Sequence, residues 1–357
     1  MANKIMVLVV DDSAFMRKII SDILNSDDEI EVIDTAKNGI EAIEKVHKLK
    51  PSVVTLDVEM PVMDGLTCLK EIMKESGAPA VVMLSSITKE GADATIRALE
   101  YGAIDFITKP TNIFNISGDE KKLELIEKVK IAKNSTKVKK NVVISDIHIK
   151  PKRDIVKSSN IKNIVAIGTS TGGPKALQDV IPLIPGDVPA AFLVVQHMPP
   201  GFTRSLAERL NSMSEVTVKE AENGEAIQPG YVYIASGDYH MTVERLVSGN
   251  LKIKLNQNPA VGGHRPDVNT MMESLSNTGL ENIIGVIMTG MGGDGSEGVK
   301  KLKTINKGYI IAQDEKSCVV YGMPKVAVQT GTVDAVVPLK DITKEIMKII
   351  GGQKLWT

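Results

Sequence analysis

Apolar positions along the chain fall into short runs that alternate with longer stretches of helical period. Strand-length apolar runs over 5–10, 32–35, 53–56, 81–84 and 104–107 are separated by helix-patterned segments over 15–24, 40–49, 66–74 and 92–100. Ser117-Gly118-Asp119-Glu120 reads as a capping box that opens a further helix through Leu123, Ile126 and Val129. Five β-α units of this length predict a doubly wound parallel sheet of about 120 residues. The rhythm resumes with strands expected over 164–167, 191–196, 231–235, 283–288 and 309–312. Between them, 241–254 alternates around Ser248-Gly249-Asn250, which predicts a β-hairpin. The expected fold class is therefore α/β, with two doubly wound, mostly parallel sheet domains, the second carrying an antiparallel hairpin.

Composition sharpens the boundary between the two. Residues 121–160 hold twelve Lys or Arg against four Asp or Glu and lose periodicity after Ala132. The division expected is a first domain over 1–133, a basic, solvated linker over 134–158 and a second domain over 159–357. At 357 residues and 43% hydrophobic content the chain has material for two cores, which must be aliphatic because aromatics are 3%. A net charge of −1 carries no signal for nucleic acid or a membrane surface, and no helix-turn-helix is visible. Cys68 and Cys318 cannot make a disulfide framework, and the N-terminal apolar run leads directly into Asp11 and Asp12 without a cleavage site. With no apolar run near 18 residues, a cytoplasmic protein without membrane insertion is expected.

In an open parallel sheet the C-terminal strand ends converge on one crevice. In the first domain those ends carry Asp11 and Asp12, Asp57, Ser85, and Thr108-Lys109-Pro110. Three carboxylates placed together would repel one another without a cation, and hard oxygen ligands with open positions suit Mg²⁺. A carboxylate beside Mg²⁺ can accept a phosphoryl group, with Lys109 and Ser85 holding the product phosphate.

The second domain opens with the strand 163–167 followed by Gly168-x-Ser170-x-Gly172 and by Pro174, suited to a first helical turn. Strand, glycine turn and helix form the setting in which such a serine becomes a nucleophile. Of the three histidines here, His197 ends the strand 191–196 and shares the crevice with Ser170, which favours it as base over His240 and His264. Asp294, in the turn Thr289 to Gly295 after strand 283–288, can reach the same crevice as the orienting acid. The main-chain N–H groups of Thr171 and Met291 could form an oxyanion hole. A rival reading takes Gly290-x-Gly292-x-x-Gly295 as a dinucleotide fingerprint with Asp314 as the ribose-binding acid. It would make the second domain a nucleotide- or partner-binding module without catalysis. Asp294 inside the turn argues against it, since a carboxylate there would repel a pyrophosphate. The order serine, histidine, aspartate also differs from that of the common α/β-hydrolases.

Two resemblances follow from these motifs. Residues 5–120 resemble the receiver domain of bacterial response regulators through Val10-Asp11-Asp12-Ser13, Leu56-Asp57 with Met60-Pro61 and Met63-Asp64-Gly65, Leu84-Ser85-Ser86, and the run from Asp105 to Pro110. This implies Asp57 as phospho-acceptor and Asp11, Asp12 and Asp57 as Mg²⁺ ligands. It also implies Lys109 as the phosphate-binding lysine, Ser85 and Phe106 as a switch pair, and a chemotaxis histidine kinase as phosphodonor. Residues 161–350 resemble the catalytic domain of chemotaxis protein-glutamate methylesterases. The matches are 167–174, Gln196-His197-Met198-Pro199, Gly263-His264-Arg265-Pro266, 288–295 and 312–324. That resemblance implies a phosphorylation-activated serine hydrolase with the triad Ser170, His197 and Asp294 and no cofactor for ester hydrolysis. Its substrates would be γ-methyl esters of glutamate on chemoreceptors, with glutamine deamidation as a second activity. It further implies that the unphosphorylated receiver covers Ser170.

Overall fold

In the computed structural model the described residues are 4–109, 119–135, 163–281 and 283–351. The chain divides into two compact units, Met1–Ile144 and Ser145–Thr357. Apart from its first two residues, the expected linker lies outside the described residues, as does Ser117 of the expected capping box.

The first unit runs β1 (Ile5–Val10), α1 (Ala14–Asn25), β2 (Ile30–Ala36), α2 (Gly39–Leu49), β3 (Val53–Asp57), α3 (Gly65–Met73), β4 (Ala80–Ser85), α4 (Lys89–Glu100), β5 (Asp105–Thr108) and α5 (Asp119–Ser135). Its five strands are all parallel in the order β2-β1-β3-β4-β5. The four helices that follow strands β1 to β4 start where the sequence places an oxygen acceptor. Ser13, Asn38, Asp64 and Thr88 each accept an N–H of the first turn, satisfying a donor the helix itself leaves open. Val7, Val9, Val53, Val82 and Leu84 pack under Ile20 and Leu24 of α1 and Leu125 and Val129 of α5. Each such aliphatic side chain contributes about 1.5–3 kcal/mol on burial. That packing makes the strand ends a rigid floor for whatever the loops carry.

The second unit runs β6 (Asn163–Thr169), α6 (Gly173–Val180), β7 (Ala190–Gln196), α7 (Phe202–Met213), β8 (Thr217–Glu220), β9 (Tyr231–Ile234), β10 (His240–Arg245), β11 (Leu251–Asn256), α8 (Val268–Ser276), β12 (Ile283–Ile287), α9 (Ser296–Asn306), β13 (Tyr309–Gln313), α10 (Met323–Gln329), β14 (Ala335–Val337) and α11 (Ile342–Gly351). Seven strands form a parallel sheet ordered β14-β13-β12-β6-β7-β9-β8. The hairpin β10–β11 is a separate antiparallel sheet, as its alternation predicts. All seven residues of β7 are buried, the mark of a strand covered on both faces.

Both sheets reverse their winding beside the first strand of the unit. β1 has β2 on one side and β3 on the other; β6 has β7 on one side and β12 on the other. Ligand crevices of open α/β sheets form at such a reversal, outside the carboxyl ends of the strands. Asp11 and Ser170 stand there.

Candidate functional site

In the first unit, the β1–β3 register pairs Val10 with Leu56, so Asp11 and Asp57 emerge side by side. Both carboxylates are buried, and Lys109 Nζ lies 2.6 Å from Asp57 Oδ2 and 2.8 Å from Asp11 Oδ2. Ser13 N–H donates to Asp11 Oδ1 (2.9 Å), and Arg17 Nη1 donates to the carbonyls of Asp11 (2.8 Å) and Asp12 (3.0 Å), which stiffens the acidic loop. Burial pushes the Asp57 carboxyl up to about 6; Lys109 pulls against this and Asp11 adds to it. Burial also works against the Lys109 charge, but Asp11 and Asp57 outweigh it and raise that group.

Asp11, Asp12 and Asp57 can bring one oxygen each within 4.8 Å of one another, and Asp12 is exposed. One ammonium among three carboxylates leaves negative charge uncompensated. Hard oxygen donors with a water-facing side fit Mg²⁺, which keeps several waters when bound by few carboxylates. Ser85 is buried with its Oγ 3.1 Å from the Gly91 carbonyl oxygen and 2.7 Å from Thr95 Oγ1, so its hydroxyl serves α4. Its carbonyl accepts the Lys109 N–H (2.7 Å). Phe106 is buried, with its carbonyl accepting from Lys128 Nζ (2.6 Å) and that ammonium 5.4 Å from its ring centroid.

In the second unit, the register Thr169↔Gln196 brings Ser170 and His197 out of adjacent strands at one level, and His197 N–H donates to Thr169 O (3.2 Å). The turn is tight. Gly173 N–H donates to Ser170 O (2.8 Å), and Gly172 takes φ +76°, a conformation that glycine adopts without steric cost. A Cβ on Gly290 would stand 2.9 Å from Ser170 Cβ, so the turn after β12 can lie this close to the serine because glycine is there.

Four neutral polar side chains lock this arrangement, and sequence reasoning assigned a role to none of them. Thr169, Gln196, Thr289 and Gln313 are buried at the ends of the four adjacent strands β6, β7, β12 and β13. Gln196 Nε2 donates to the carbonyls of Ser170 (2.9 Å) and His197 (3.2 Å). Thr289 O accepts both Ser170 N–H (3.0 Å) and Thr169 Oγ1 (2.9 Å). Thr289 N–H donates to Gln313 Oε1 (2.8 Å), and its hydroxyl donates to Thr171 O (3.0 Å). The available signal was a polar residue ending an otherwise apolar strand.

His197 Nε2 lies 2.8 Å from Asp294 Oδ2. The same carboxylate accepts the N–H groups of Val268 (2.7 Å) and Asn269 (2.9 Å) at the start of α8. Burial alone would raise the Asp294 carboxyl, but the imidazole and these partners hold it well below the usual carboxylate range. Asp267, which caps α8, is pushed up to about 6 by burial and by Asp294. His197 Nδ1 is buried and has no hydrogen-bond partner among the described residues. The N–H groups of Thr171 and Met291 likewise have no acceptor among them.

The remaining histidines separate clearly. His240 is buried with Nε2 on the Pro259 carbonyl (3.1 Å). His264 stacks on His197, ring centroids 3.9 Å apart and planes 11° from parallel. Asp314, the acid of the nucleotide reading, turns its carboxylate onto Ser317 N–H (3.1 Å) and the Ser317 hydroxyl.

Residues 165–346 match the CheB methylesterase family and residues 7–117 the response regulator receiver domain. A protein-glutamate methylesterase/protein-glutamine glutaminase of Syntrophomonas wolfei is 48% identical over 351 residues, covering 96% of this chain and 99% of that protein. One of the same description from Pyrococcus horikoshii is 49% identical over 354 residues, covering 98% and 95%. The crystal structure of the Thermotoga maritima CheB methylesterase catalytic domain aligns with 54% of this chain and 98% of its own, at 44% identity and a TM-score of 0.51. A receiver sheet, a parallel sheet with a serine turn and relatives matched from end to end lead to one assignment: the chain belongs to the CheB family of protein-glutamate methylesterases/protein-glutamine glutaminases.

Proposed function

We propose that this chain is a phosphorylation-activated serine hydrolase of chemotaxis adaptation, which removes the methyl group from glutamate γ-methyl esters on chemoreceptors. Ser170 Oγ attacks the ester carbonyl while His197 Nδ1 takes its proton. Asp294 accepts the Nε2 hydrogen, which leaves Nδ1 as the basic nitrogen, and stabilises the imidazolium that forms. The N–H groups of Thr171 and Met291 receive the developing oxyanion. His197 returns the proton to the departing methoxide, methanol leaves, and water resolves the acyl-enzyme. With a glutamine side chain the same sequence releases ammonia, so deamidation needs no further group. The observation that carries this reading is the His197–Asp294 bond through Nε2, with Nδ1 left without a partner among the described residues, on a residue whose backbone is bonded to Thr169, next to Ser170.

In the first unit Asp57 is the phosphoryl acceptor, served by a chemotaxis histidine kinase. Asp11, Asp12 and Asp57 would hold Mg²⁺, which neutralises charge on the phosphoryl oxygens. Lys109 pairs with the phosphate, and Ser85 and Phe106 change position with it. The site of action is the cytoplasm. Burial pushes both free thiols, Cys68 and Cys318, up to about 12, in keeping with packed and unreactive cysteines.

The test is methanol release from methyl-labelled chemoreceptor membranes with and without a small phosphodonor. Ser170→Ala should abolish release yet leave Asp57 phosphorylation intact; turnover like the wild type would overturn the triad. Asp57→Asn should remove the response to the donor and leave slow basal release.

A further inference from the structure

The loop between β11 and α8 is built around one side chain. Gly262 (φ +57°) and Gly263 (φ +81°) form a turn closed by reciprocal bonds, Val261 N–H to His264 O (3.0 Å) and His264 N–H to Val261 O (2.9 Å). On the other side of His264, Arg265 Nε donates to Asp238 Oδ1 (3.0 Å) and Nη1 to the carbonyls of Gln257 (3.2 Å) and Asn258 (3.1 Å). Asp238 N–H returns a bond to Arg265 O (3.1 Å), and Gln257 Nε2 donates to Asp238 Oδ2 (3.0 Å). What the ties deliver is the His264 ring, face to face with His197.

His197 needs such a support. Its ring nitrogens make one bond among the described residues, to Asp294. A ring held at one point can pivot about that bond and swing the opposite nitrogen away from its target. A flat surface at 3.9 Å blocks the pivot and keeps water off that face. We propose, on the reading that His197 is the base, that His264 is a positioning residue. Its ring sets the plane of His197 so that Nδ1 stays aimed at Ser170. Flatness is the property required, and the ring nitrogens of His264 are not.

The full-length chain with a saturating phosphodonor supplies the test. His264→Leu removes the flat face, and His264→Phe keeps it without any titratable nitrogen. His264→Leu should lower kcat for methanol release by roughly 10–100-fold, the scale set by small misplacements of reacting groups, with KM within about threefold. It should slow labelling of Ser170 by a small fluorophosphonate in proportion. His264→Phe should restore both rates to within about threefold of the wild type. If His264→Leu does not fold, His264→Ala takes its place in the same comparison, with the same losses expected. The inference falls if folded His264→Leu turns over at the wild-type rate, or if folded His264→Phe is as impaired as a triad variant. Ser170→Ala run alongside separates the two levels: activity there would remove the triad itself, whereas an inactive Ser170→Ala with an unimpaired His264→Leu removes only the support.

Discussion

The two crevices occupy the same place in their sheets and are built from opposite materials. At the end of β1 the first unit gathers formal charge: buried Asp11 and Asp57 share Lys109, and burial lifts the Asp57 carboxyl to about 6 despite that lysine. At the end of β6 the second unit gathers neutral donors and acceptors, with Thr169, Gln196, Thr289 and Gln313 bonded across four strands. Its one buried carboxylate beside the histidine, Asp294, is hydrogen-bonded to His197 and relieved by two helix N–H groups. A site that must accept a charged group and change with it is left electrostatically unfinished. One that must repeat a single geometry is bonded in advance.

The largest effect that would test the contrast lies in Asp294→Asn. The shape is kept, but the amide cannot replace the acceptor that fixes the imidazole tautomer, and kcat should fall about 10⁴-fold, the loss this change brings to a serine, histidine, aspartate triad. A stopped assay on labelled receptors reads it. No loss would return Asp294 to a purely structural part.

Next in size is Gln196→Leu. It leaves the carbonyls of Ser170 and His197 without their amide donor in a buried site, which should cost about 1–3 kcal/mol in urea melts of the second unit's transition. An unchanged midpoint would mean that the locking side chains are decorative.

Asp57→Asn should act in the opposite direction. Folding raises this carboxyl from its ordinary 3.8 to about 6, so the folded protein holds the proton more tightly than the unfolded chain. Stability is therefore full below pH 4 and is lost as pH climbs through 6. Without divalent cation, Asp57→Asn escapes that loss and should stabilise the first unit by on the order of 2 kcal/mol at pH 7.5, with no gain at pH 4. Thermal melts at the two pH values check it, and a destabilised variant at pH 7.5 would erase the contrast.

The smallest effect concerns Val62, 80% exposed in the loop after Asp57 and held at φ +70°, where a β-branched residue is strained. Val62→Asn should raise first-unit stability by about 1 kcal/mol without moving methanol release.

What the sequence disclosed follows the same division of materials. Central strands such as β1, β4 and β7 are apolar on both faces and declare themselves. The two strands that the alternation missed, β8 and β14, are the edges of the seven-stranded sheet; they are short and partly exposed, so their hydrophobic signal is weak. Charged residues at strand ends were equally legible: Asp11, Asp57 and Lys109 meet as expected, and so do His197 and Asp294. Which imidazole nitrogen meets the acid could not be read, because that depends on the helix start at Val268 holding the carboxylate. His264 was weighed as a base when its ring is a stacking surface, since nothing in Gly263-His264-Arg265-Pro266 specifies where Arg265 is anchored.

The amide of Ser170 has a consequence beyond catalysis. It is bonded to the carbonyl of Thr289, and Thr289 is in turn bonded to Gln313, so the reactive turn is stitched to β12 and β13 as well as to its own strand. Such an amide cannot exchange its hydrogen by a local opening of the loop. It becomes accessible when the central strands separate, which places Ser170 in the last cooperative block to open. On the proposed mechanism, partly unfolded forms of the second unit that keep β6, β12 and β13 together should therefore keep a reactive serine. Loss of the serine's reactivity should coincide with deuteration of the core strands and trail the exchange of the outlying hairpin β10–β11.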